Sequence, residues 1–241
     1  MASPITLALL AAVAIVANAI RGLTGLGSAV IFVPFASLVW TAALALAVSA
    51  VLDLVGNSYL CWLNRDIIEV PRSYWSIVAA LTVGILIGSL FITLDDKVVR
   101  RLTGSVILAT LVILAFLSKM NLPKLPEKYS TPIGFIVGLI SPVSGVPGPA
   151  VALMLTLQGK QEEIAKLTPP FLLINAIVRI IGLAALGRFT AGTTTAALIM
   201  VPFGMAGVYA GQRFGRNMPF DQLKYLIIFV VALSGVYMVV R

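Results

Sequence analysis

Apolar runs of near membrane-crossing length alternate with short polar breaks from one end of this chain to the other. They fall at about residues 4–20, 29–39, 42–63, 74–94 and 102–117, and again at 132–140, 150–157, 169–186, 194–212 and 223–240. Several approach the roughly 20 residues a helix needs to cross a bilayer. Between the two sets lies SKMNLPKLPEKYST, a polar stretch with two prolines at the middle of the chain. The run pattern predicts an all-α polytopic membrane protein. A first transmembrane repeat occupies 1–117, a central linker 118–131 and a second transmembrane repeat 132–241.

The two halves carry matching features in the same order. GLTGLGSA (22–29) answers SPVSGVPGPA (141–150), Asn57 answers Asn175, and VGILIGS (83–89) answers AGVYAGQ (206–212). The shared offset, near 120 residues, marks a duplicated unit. In each half the run after the glycine-rich stretch, 29–39 or 150–157, spans only roughly 12–16 Å at 1.5 Å per residue, too short to cross. Each repeat therefore reads as a broken-helix hairpin with a glycine-rich tip at mid-membrane, followed by three transmembrane helices. An odd number of passes inverts the second repeat relative to the first. Basic residues support this. Inverted repeats collect Arg65, Arg72, Lys119, Lys124, Lys128, Lys160, Lys166, Arg213, Arg216 and Lys224 on one face, against Lys97, Arg100, Arg101, Arg188 and Arg241 on the other. Parallel repeats would leave seven against eight, no bias at all. The richer face, with the central linker, is expected in the cytoplasm and both termini outside. MASPITLALL has no basic stretch before its apolar run, so a cleaved signal peptide is not expected.

The tips invite a ligand. Gly22, Gly25 and Gly27 should break the first helix, with Arg21 at the edge of the break. Ser28 is expected to cap the first return helix, and Pro149, after Gly148, to take the first helical position of the second. A helix starting at mid-membrane aims unpaired N–H groups and partial positive charge at whatever precedes it. Gly25, Gly27, Gly145 and Gly148 would let an anion approach those groups, while Thr24, Ser28 and Ser144 add hydroxyl donors. Glycine stretches also serve close helix packing, the reading that suits Gly84/Gly88, Gly134/Gly138 and Gly207/Gly211.

Three charges fall where charge is costly. Arg179 sits deep in FLLINAIVRIIGLAAL, one turn after Asn175, and Arg21 abuts the first tip. Asp53 lies four residues before Asn57 on the same helix face. The two guanidiniums are candidates for holding an oxyanion, with Asn57 and Asn175 beside them, or for pairing with Asp53. Asp53 is a candidate for ion coupling or for a salt bridge.

Composition narrows the class. The chain is 60% hydrophobic and 11% charged, against about 45–50% and 25% in soluble domains. Its +8 charge lies mostly in loops and does not call for nucleic acid. With no histidine, Cys61 as the single cysteine and Asp53 as the one carboxylate within a predicted span, acid–base, redox or zinc chemistry lacks its usual groups, which argues against an enzyme. No cofactor and no metal are expected. The expected partners are a small anionic substrate and the lipid bilayer, with a homodimer left open.

GLTGLGSAVIFVP near the N-terminus, recurring as SGVPGPAVALML after the polar linker, resembles the TauE/SafE family of sulfite and organosulfonate exporters. The resemblance covers essentially the whole chain. It implies a plasma-membrane transporter of small sulfur-containing anions such as sulfite and sulfoacetate, with the two tips forming the substrate site. The second tip departs from a plain glycine repeat in carrying Pro142, Pro147 and Pro149. The expected function is export of such an anion by alternating access. A proton- or sodium-coupled carrier of another small anion, or an anion channel, is the alternative.

Overall fold

The computed structural model describes residues 4–24, 27–117, 125–145, 147–214 and 232–240. Among these the chain is helical with short connections: α1 (Pro4–Thr24), α2 (Ala29–Ala36), α3 (Ala42–Leu63), α4 (Trp75–Ser89), α5 (Asp96–Leu117), α6 (Ser130–Ser144), α7 (Pro147–Leu157), α8 (Ile164–Ala185) and α9 (Ala191–Phe214). Residues 232–240 form a further helical segment, α10. Five described helices are long and apolar enough to cross a membrane: Pro4–Leu23, Ala42–Leu63, Trp75–Thr93, Lys166–Ala185 and Ala191–Phe214. Residues 118–124 of the central linker and the first part of the expected last run lie outside the described residues, as do Lys119, Lys124, Arg216, Lys224 and Arg241 of the charge tally.

Helix ends follow local chemistry. Thr41 caps α3, its Oγ1 accepting from Leu44 N at 3.3 Å, and the Asp96 carboxylate from the start of α5 accepts from Ala42 N at 2.6 Å. Gly145 ends α6 in the left-handed region at φ 67°, returning its N–H to Ser141 O at 2.7 Å. Gly187 closes α8 the same way, at φ 67°.

Two expectations about the tips need correction. Gly22 does not break α1, which runs on through Arg21 to Thr24. A Cβ at Gly22 would fall on the carbonyl oxygen of Val208, so this glycine serves the contact with α9. The second return helix begins at Pro147, not Pro149. Pro147 takes the opening turn because its missing N–H has no helical partner there anyway. With 8 and 11 residues, α2 and α7 are as short as expected.

Contacts between elements come in pairs that exchange the two halves of the chain. The most extensive packings are α1 on α9 and α6 on α4; α2 on α3 is matched by α7 on α8, and α3 on α9 by α8 on α4. Glycines set the close approaches. On α4, a Cβ at Gly84 or Gly88 would meet the carbonyls of Phe135 or Leu139 of α6; on α9, one at Gly207 or Gly211 would meet those of Ile15 or Ala19 of α1. Gly134 and Gly138 receive Ile77 and Leu81 of α4 in turn. These glycines are helix-contact faces, since only a missing side chain lets two backbones come this close. Gly104 of α5 lies against the Gly235 carbonyl of α10 in the same manner. The core centres on α3, whose Ala42, Ala45, Leu46, Ala47, Val48 and Ala50 are fully buried.

A polar cluster ties one end of the bundle. Leu125 N donates to Leu157 O at 2.8 Å, Tyr74 donates to Glu163 at 2.8 Å, and Lys160 pairs with Glu127 at 2.6 Å. Burial, then the bond to Glu163, raises the Tyr74 phenol above its ordinary pKa, and the bond to Glu127 does the same for the Lys160 ammonium. Both groups therefore keep their protons throughout the physiological range.

Candidate functional site: a buried charge centre between the tips

Three charged side chains are buried among the described residues: Arg21 at 1%, Arg179 at 0% and Asp53 at 5% exposure. They come from α1, α8 and α3 and meet at one point. Arg21 forms an ion pair through Nη2 with Asp53 Oδ1, and its Nη1 donates to Leu52 O at 2.9 Å and Asn18 Oδ1 at 3.3 Å. Arg179 Nη1 donates to Asp53 Oδ2 at 3.1 Å, while Nη2 donates to Leu46 O and Ser49 Oγ, each at 2.7 Å. Gly56 makes room for the Arg21 side chain: a Cβ there would lie 2.7 Å from Nη1.

Two guanidiniums face one carboxylate, so the centre carries one net positive charge. Taking such charges out of water costs several kcal/mol each, in part recovered by these bonds. The Nε groups of both arginines have no hydrogen-bond partner among the described residues. The Asn57 Oδ1, one turn beyond Asp53, is unpartnered in the same way.

The tips meet at this centre. A Cβ at Gly27 would stand 3.2 Å from the Gly145 carbonyl oxygen, and one at Gly145 would fall on the Ala29 methyl group. The same point at Gly145 lies 3.6 Å from both Nη1 and Nη2 of Arg179. The glycines thus let the two hairpins touch beside a guanidinium. Ser28 does not cap α2. Its Oγ donates to Asp53 Oδ1 at 3.3 Å and accepts no bond from the α2 amides.

The second tip is held from behind. Ser141 and Asn175 bond reciprocally, at 3.0 Å and 2.7 Å, fixing α6 to α8 one turn before Arg179. Thr103 of α5 donates to Val143 O at 2.6 Å. Ser144 Oγ donates to Ile140 O at 2.9 Å, one turn back on its own helix.

Residues 10–238 match the family model described as Sulfite exporter TauE/SafE. The chain belongs to the TauE/SafE sulfite exporter family. This makes it a multi-pass membrane protein of a transporter family, in keeping with its apolar helices. Comparison with curated proteins and with solved structures yields no match.

In this TauE/SafE chain the structure brings Arg21, Gly27, Ser28, Asp53, Gly145 and Arg179 into one cluster. Asn57 and Asn175 are buried nearby on α3 and α8, and Gly148 lies in the first turn of α7. Gly25 and the Thr24 side chain lie outside the described residues. Sequence reasoning passed over Asn18, Ser49 and Ser141. Their signal was present: Asn18 stands three residues before Arg21, Ser49 four before Asp53 and Ser141 three before Ser144, each polar in an apolar run.

Proposed function

We propose that this protein exports a small sulfur-containing oxyanion, sulfite or a short organosulfonate such as sulfoacetate, across the cell membrane by alternating access. The observation that carries the reading is the excess of one buried guanidinium over carboxylate where the two glycine-rich tips touch. A guanidinium fork donates two parallel bonds to a pair of oxygens on one oxyanion, and low dielectric strengthens the pairing. The substrate site is assigned to Arg21, Ser28, Gly27, Gly145 and Arg179, with Asn57, Ser144, Gly148 and Asn175 around it and Thr24 and Gly25 at the first tip.

The scaffold is two inverted repeats, residues 1–117 and 132–241, joined by a cytoplasmic linker at 118–131. Support comes from the exchanged helix contacts and from the distribution of basic residues between the two faces. Every charged member of the centre is buried, so an anion reaches it only if the surrounding helices part. That favours a carrier over a continuous pore. An interior-negative potential drives each exported negative charge outward by roughly 2.3 kcal/mol per 100 mV, enough to run efflux without a coupling ion. Both Asp53 oxygens are engaged by guanidiniums, which speaks against that carboxylate as a proton or sodium site.

Binding of sulfite, sulfoacetate, sulfate and acetate to the purified protein tests the reading. Wild type is expected to prefer the sulfur anions, and Arg179→Ala to weaken them at least a hundredfold. Unaltered binding in Arg179→Ala protein of wild-type elution profile overturns the assignment.

A further inference from the structure

The partners gathered by Asp53 are those of a bound oxyanion. Arg21 holds one of its oxygens and Arg179 the other, from helices that belong to different halves of the chain. The hydroxyl of Ser28, at the first tip, donates to the same carboxylate at 3.3 Å and makes no cap bond with the helix it precedes. Two guanidiniums and a tip hydroxyl converging on a planar, doubly acceptor group form a recognition set for an anion. The place is already filled by an anion tethered to α3.

We propose that Asp53 is a built-in competitor: it occupies the oxyanion position when the carrier is empty and gives up guanidinium contacts when substrate enters. This rests on the centre being the anion site. Its physical basis is the cost of the alternative. An empty site without Asp53 would leave two bare cations buried in the bilayer, several kcal/mol uphill, and the carrier would stall with substrate held too tightly to release. With Asp53 present, each bond the substrate gains to a guanidinium replaces one to the carboxylate. Binding is weakened, release is eased, and the empty protein can return. Asp53 is thereby a positioning and affinity-setting residue, and its removal should separate binding from turnover.

The test compares sulfite affinity and proteoliposome efflux in wild type, Asp53→Asn and Asp53→Ala. Competition predicts a dissociation constant for sulfite at least tenfold lower in Asp53→Asn, with slower turnover. A scaffold role predicts unchanged or weaker binding, and that result in monodisperse Asp53→Asn protein overturns the proposal. Should Asp53→Asn not remain monodisperse, Asp53→Ala is prepared with formate or with sulfite. Rescue of elution and melting temperature by both anions upholds the competition, whereas rescue by formate alone, or by neither, refutes it. If wild type binds none of the anions tried, the export reading falls and this proposal with it. If wild type binds sulfite and Asp53→Asn binds it no better, the proposal alone falls.

Discussion

Arg179 illustrates how one side chain acquires its role from several elements at once. Its fork spans the Asp53 carboxylate, the Leu46 carbonyl and the Ser49 hydroxyl, which locks the guanidinium plane next to Gly145. A lysine there would keep the charge and lose the planar fork. Arg179→Lys is therefore expected to stay folded while its affinity for sulfite drops about tenfold, the loss of roughly one charge-assisted bond. Isothermal titration in detergent measures it, and wild-type affinity would show that charge alone matters. The position was legible beforehand, since an arginine inside FLLINAIVRIIGLAAL must answer to something. Pairing with Asp53 was one of the readings open for it, but the Leu46 carbonyl and the Ser49 hydroxyl were not, because they lie 133 and 130 residues away in the chain.

At their closest approaches the helix pairs depend on glycine. At Gly88 and Gly211 an added methyl would run into a backbone carbonyl, Leu139 O or Ala19 O, that cannot rotate aside. Gly88→Ala and Gly211→Ala should each lose about 1–3 kcal/mol by overpacking, against the usual gain from replacing a helical glycine. Gly192→Ala, where the nearest atom is Thr190 Oγ1 at 3.8 Å, should lie within about 0.5 kcal/mol of wild type or above it. Unfolding in detergent ranks the three. A ranking with Gly192→Ala at the bottom would contradict the packing. These glycines were readable as contact faces from their four-residue spacing. Gly22 was misread because a glycine cluster looks like a helix stop, and only the neighbour α9 reveals a contact instead. Ser28 was misread for a related reason: a cap is a local preference, and the carboxylate to which its hydroxyl donates lies on another helix.

Orientation in the membrane belongs to the whole molecule. With the inverted arrangement proposed above, Lys128 and Arg188 lie on opposite faces, and Lys97 shares the face of Arg188; parallel repeats would put Lys128 and Arg188 together. Single cysteines introduced at these three positions in a Cys61→Ser background should be labelled by an impermeant maleimide accordingly, Lys128→Cys from the cytoplasm alone. Lys128→Cys and Arg188→Cys reacting from the same side would remove the inversion. The same register exposes an asymmetry. Asn57 and Asn175 correspond, but Asp53 falls opposite Phe171 and Arg179 opposite Cys61. In the proposed duplication the charge centre is not doubled, so the proposed anion site falls at one point. The class of the molecule, five apolar helices of membrane-crossing length, the two short helices after the glycine-rich stretches and the residues that had to be special follow from the chain alone, because hydrophobic length, helix propensity and the cost of buried charge are local properties. Which charges meet, which glycines pack and which hydroxyl serves the carboxylate arise only when separate helices are laid side by side, because those energies belong to contacts between elements, 25 residues apart for Ser28 and Asp53 and 126 for Arg179 and Asp53.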